Sequence, residues 1–190
     1  MDTKQAQSQL NIVEEALSRQ HQVAQPDGRY FVLWGWLVIV GLLSTHLLIQ
    51  LEQTMVIPFV WAALGIFGAW KSNSHNKTPL DGAVRPEDRA IGNVWTFLAL
   101  SFVLLPFVFA PLGIIAYDSI NSLTMLLLGI GMAITGIIAQ AKMMYGFAAF
   151  WLLASVGIYY VNSEYDLLIY ALCIAIGYLL PGYMEKKSAD

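Results

Sequence analysis

Six apolar stretches alternate with short polar ones along this chain. They run approximately over 30–49, 54–70, 91–109, 120–141, 144–160 and 167–183, and none holds Asp, Glu, Lys or Arg in its interior. A helix needs about 20 apolar residues to cross the hydrocarbon of a bilayer, with a working range of about 17–25. Backbone polar groups find no water there, so each stretch is predicted to be a helix that satisfies its own hydrogen bonds. The expected fold is all-α, a polytopic integral membrane bundle of six transmembrane helices.

Periodicity changes at both polar segments. Ala6, Leu10, Val13, Leu17 and Ala24 recur at helical steps, and Glu15 can pair with Arg19 one turn on. The run Gln25–Arg29, with its Pro-Asp-Gly, breaks that pattern. Residues 1–28 are thus expected to form an amphipathic cytoplasmic helix and linker, residues 29–184 the six-helix domain, and residues 185–190 a short tail. Within the domain, 71–90 is the one long connection; Thr78-Pro79 and Asp81-Gly82 read as turns. Pro86, Glu87 and Asp88 suit the first turn of the third helix, where a missing N–H costs nothing and acids favour the dipole.

Charge fixes the threading. With the N-terminus inside and six helices alternating, all ten basic residues fall on the cytoplasmic side: Lys4, Arg19, Arg29, Lys71, Lys77, Arg85, Arg89, Lys142, Lys186 and Lys187. The outer connections keep only Glu52, Asp118, Glu164 and Asp166. Basic residues near helix ends set orientation, so both termini are expected to be cytoplasmic. Tyr30, Trp34, Trp70, Trp95, Tyr145 and Tyr183 fall near the proposed inner interface, and Tyr117, Tyr159, Tyr160 and Tyr165 near the outer one, as interfacial anchors would. Acidic residues scattered through the first thirty positions give no secretory-signal pattern, so the first apolar run is expected to remain as an anchor.

Only 12% of the residues are charged and 57% are hydrophobic, which leaves too little polarity to cover a soluble surface. No basic block is present for nucleic acid. The single cysteine, Cys173, excludes an internal disulfide framework and reads as a small buried thiol.

The inner ends of the even spans resemble one another. They read "AALGIFGAWK", "AITGIIAQAK" and "AIGYLLPGYMEK", each with Ala, Gly, bulky apolar residues, a small residue and a lysine. Gly65 and Gly136 each precede their lysine, Lys71 or Lys142, by six residues. Pro181-Gly182 is expected to end the last helix. The odd spans place a basic residue a short distance before a tryptophan, so three helical hairpins are one reading; coincident small residues at helix contacts are the other. The second half, "MLLLGIGMAITGIIAQAKMMYGFAAFWLLASVGIYY", resembles the Gly-spaced hairpins of the HdeD-like family of small bacterial six-helix membrane proteins. That resemblance implies a bacterial inner-membrane protein with a stress-related role and no catalytic residue. The long tail and the polar connection depart from it.

Chemistry is sparse. His21, His46 and His75 are scattered, and neither HExxH nor GxSxG occurs. The spans lack the ionisable residues that mark proton relays. No cofactor or metal is expected. Mild polarity remains at Asn93 and Thr96, which could line the inner mouth of a pore or pocket or simply bond between helices. Gly129, Ala133 and Gly136 share one helix face, suited to packing within the chain or to a homo-oligomer. The leading expectation is a non-enzymatic scaffold or regulatory subunit that binds a cytoplasmic or membrane protein. Leu10, Val13 and Leu17 of the tail and His75 and Arg85 of the connection are its candidate contacts. Self-packing of the tail and an ordinary solvated connection are the bland alternatives. The competing function is a small transporter or channel for an uncharged or amphipathic solute.

Overall fold

The structure, a computed structural model, describes residues 28–75, 86–161 and 165–189. Every regular element among the described residues is helical. Among the described residues six helices are long and apolar enough to cross a membrane, as a multi-pass protein requires. The tail residues Leu10, Val13 and Leu17, and Arg85 of the connection, lie outside the described residues, as does most of the tail helix expected over 1–28.

α1 covers Gly28–Gln50. A 3-10 turn, Thr54–Val56, leads into α2, Ile57–His75. α3 begins at Pro86 with Glu87 and Asp88 in its first turn, runs to Leu104 and continues through a π-helical segment, Leu105–Phe109. α4 is Ile120–Ile138 and α5 is Lys142–Val161. α6 comprises Asp166–Ile174, a π-helical segment Ala175–Leu179, and Leu180–Ala189. Five of the helices outrun the apolar stretches that announce them; α4 alone stays within its stretch. α2 carries on past Lys71 to His75, and α3 starts at Pro86, so both ends of the expected 71–90 connection are helical.

The largest departure concerns Pro181-Gly182. These residues do not end α6; the helix continues to Ala189. Proline lacks the N–H that would return to the carbonyl of residue 177, four positions back. A membrane helix tolerates that loss when the freed carbonyl finds another donor. The π-helical segment immediately before Pro181 absorbs the change of register, with the Leu180 N–H bonding to Ala175.

Two helices end in left-handed residues that are not glycine. The Gln53 N–H returns to Leu48 and that of Glu52 to Ile49; the Ala141 N–H returns to Gly136 and that of Gln140 to Ile137. These paired bonds are Schellman caps. Glu52 and Gln140 hold the cap's positive φ, at 58° and 51°. The second cap folds α5 straight back on α4.

The deepest packing lies where α4, α5, α6 and α1 meet. Trp151, Met125, Met132 and Met144 are wholly buried, and Phe31, Leu42, Ile174 and Tyr178 extend the same core. α4 and α5 form one broad seam and α1 and α6 another. α2 rests mainly on α1, and α3 mainly on α4. At the α1–α6 seam the backbones come close: a Cβ at Gly182 would lie 3.0 Å from the Gly28 carbonyl and 2.9 Å from the Phe31 Cβ. Gly35, facing Leu179 and Tyr178, is buried in the same seam.

Candidate functional site

Burial of an indole creates a donor that needs a partner. Trp61 of α2 gives its Nε1–H back to the Thr45 hydroxyl of α1 at 3.0 Å, beside Gly41, and three tryptophans donate forward to the next helix in the same way. Trp34 of α1 donates its Nε1–H to the Ser72 hydroxyl of α2 at 3.2 Å. Trp95 of α3 donates to the Thr135 hydroxyl of α4 at 3.1 Å. Trp151 of α5 donates to the Gly177 carbonyl of α6 at 3.1 Å. Each indole also lies against a glycine of the receiving helix. A Cβ at Gly68 would stand 2.8 Å from the Trp34 ring, and one at Gly177 2.8 Å from that of Trp151. Gly131 lies against both Trp95 and Leu98, and a Cβ there would collide with Leu98.

The acceptors follow from chain chemistry. Ser72 and Thr135 each stand four residues after their glycine, one helical turn on. Thr135 is held in place by donating to the Gly131 carbonyl at 2.8 Å. In α6 the equivalent place holds Pro181, which supplies no hydroxyl. It leaves the Gly177 carbonyl without its usual donor, and that carbonyl is the one Trp151 takes. A hydroxyl and a proline thus serve the same end by different means.

Trp95 and Trp34 were expected as interfacial anchors. Both pack against the core between helices, and Trp95 joins an aromatic cluster with Phe31 and Tyr178. Phe31 of α1, Trp95 of α3 and Tyr178 of α6 meet edge to face, with ring centroids 5.0 to 5.9 Å apart. Such pairs add about 0.5–1.5 kcal/mol each beyond area burial. By contrast Trp70, Tyr145 and Tyr183 are exposed.

Asn93 and Thr96 both lie on the exposed side of α3 and do not face the bundle centre. The Thr96 hydroxyl folds back to the Gly92 carbonyl at 2.8 Å. His75 is the last residue of α2. Cys173 is half-buried beside the core, a little more open than its sequence setting predicts. Gly129 and Gly136 do pack closely, against Leu152 and Met144 of α5. Among the described residues no cluster of His, Cys, Asp and Glu could hold a metal ion, and every fully buried side-chain nitrogen or oxygen has a partner. The arrangement is one of satisfied bonds between helices. The signal that could have found it was in the sequence: a glycine, then a hydroxyl residue or proline four places later, following a tryptophan on the preceding span.

Comparison of the chain with protein-family models, with curated proteins and with solved structures gives no match.

Proposed function

We infer that this chain is a non-enzymatic multi-pass membrane protein, a scaffold or regulatory subunit, with both termini on the cytoplasmic side of a bacterial inner membrane. The observation that supports this role is the filled centre of the bundle. Trp151 and three methionines occupy it with no exposed surface, and the polar groups nearest them, Thr135 and Ser155, spend their hydrogen bonds within and between helices. A centre packed in this way favours a body that holds its shape over one that opens a path for solute. The outward placement of Asn93 and Thr96 weighs in the same direction. The polar segments at the cytoplasmic side, the tail with its Leu10, Val13 and Leu17 stripe and the connection with His75 and Arg85, are then the surfaces through which a protein partner is held. The likeness to HdeD-like hairpins fits the same setting.

The test is a mild-detergent purification of the intact chain beside a version beginning near Asp27. A soluble protein that copurifies with the intact form alone supports the tail as its docking segment. Two folded forms with no partner, together with solute flux into liposomes that carry the intact chain, would replace this reading by the transporter one.

A further inference from the structure

Taking the glycine beneath each indole as a common origin, Gly68, Gly131 and Gly177 align α2, α4 and α6. Six residues before that glycine stand Ala62, Met125 and Ala171; one after it, Ala69, Met132 and Tyr178; five after it, Asn73, Gly136 and Gly182. In α4 all three positions are buried, facing α5, and in α6 all three are buried, largely against α1. In α2 all three are exposed. Gly65, on the same side, has no atom within 4 Å of where its Cβ would be.

The odd helices give the complementary result when aligned on Trp34, Trp95 and Trp151. Three residues earlier lie Phe31, Gly92 and Ala148, and one residue later Gly35, Thr96 and Leu152. Phe31 and Gly35 are packed against α6, Ala148 is buried, and Leu152 meets Gly129 of α4. Gly92 and Thr96 of α3 are exposed, and nothing lies within 4 Å of a Cβ at Gly92. The chain therefore repeats one rule, in which each even helix packs on the next odd one: α4 on α5, and α6 on α1. The third seam of that series, α2 on α3, is not formed among the described residues.

We propose that these two open faces are completed by a second copy of the chain, α2 of one copy lying on α3 of the other, twice, about a two-fold axis. The occupant follows from the molecule itself, because the partner that fits an α2-type face is an α3-type face, as the two formed seams show. The geometry is allowed if the chain spans a membrane, the one premise taken from the functional reading. Two copies inserted with the same orientation and related by an axis along the membrane normal present α2 and α3 antiparallel, as in the other seams. Small residues at Ala62, Gly65, Ala69 and Gly92 permit the close approach by which helices associate in lipid.

By the same alignment Ile66 stands where Gly129 does, and Thr96 where Leu152 does. The test uses a Cys173→Ser background, with Ile66→Cys on one tagged copy and Thr96→Cys on a differently tagged copy, oxidised mildly in isolated membranes. The expected product is a mixed-tag, reducible species at twice the chain mass of 21.1 kDa, several-fold more abundant than the 66–66 or 96–96 products. Equal or absent crosslinking from chain recovered in the membrane fraction overturns the dimer while leaving the membrane reading intact. A disulfide confined to one chain, when both cysteines are placed on the same copy, overturns it in favour of closure within the molecule. Recovery of folded chain in the soluble fraction removes the membrane premise and the dimer together.

Discussion

α2 and α4 make an instructive pair. Both receive an indole from the preceding helix, and both have glycine beneath it and a hydroxyl one turn on. Yet 6% of the most apolar stretch of α2 is buried, against 44% for α4. Apolarity cannot separate the two, because lipid tails are as apolar as a neighbouring helix and supply no hydrophobic drive for pairing. What separates them is side-chain shape on the far face. α4 offers Met125, Leu128 and Met132, which fill the space toward α5, whereas α2 offers Ala62, Gly65 and Ala69.

The sharpest way to break this comparison is to truncate one large side chain in each helix. Met132→Ala should cost about 2–4 kcal/mol, because it leaves a cavity in a packed core. Ile66→Ala in α2 should change stability by no more than about 0.5 kcal/mol for the isolated chain. Unfolding of the purified protein in detergent measures both, and equal losses would erase the distinction between the helices. Adding bulk tests the same contrast from the other side. Gly131→Val should cost about 1–3 kcal/mol through its collision with Leu98, while Gly65→Val should be nearly neutral for the isolated chain, since nothing within it stands in the way. Thermal midpoints of the two variants check this directly.

Removing a donor probes the indole bonds themselves. Trp151→Phe keeps an aromatic side chain but strands the Gly177 carbonyl and leaves a small cavity, at a cost of about 2–4 kcal/mol. Trp34→Phe, at the half-exposed α1–α2 contact, should cost nearer 0.6 kcal/mol, the usual size of such bonds in membranes. A larger loss for Trp34 would show that α2 is held as firmly as α4. The last effect has the opposite sign. Gln140→Gly relieves the left-handed backbone of the α4–α5 cap and should raise stability by about 0.5–1 kcal/mol.

The number of helices and their approximate limits were legible in the sequence, because length and apolarity alone decide whether a segment can span a bilayer. The start of α3 was legible too, from Pro86, Glu87 and Asp88. The course of α6 was not. A proline loses one backbone bond and crowds the carbonyl four residues back, which commonly ends a helix; here Trp151, distant in sequence, donates to that carbonyl. Nor could the sequence say which glycines make contact. Spacing from lysines singles out Gly65 and Gly136, but Gly65 is open, while Gly68 and Gly131 lie under indoles. Lysines report the depth of a residue, whereas contact depends on which way it faces.

The seam between α1 and α6 carries a consequence for the order in which the molecule is made. The α4–α5 pair and the three indole bonds join helices that leave the ribosome one after the other, so each can form while the chain is still growing. Gly28 must wait for Gly182. Until α6 is made, the side of α1 that carries Phe31 and Gly35 lacks its partner. The α1–α6 seam is thus the last of these contacts to close, and its strength sets when α1 gains its full set of neighbours.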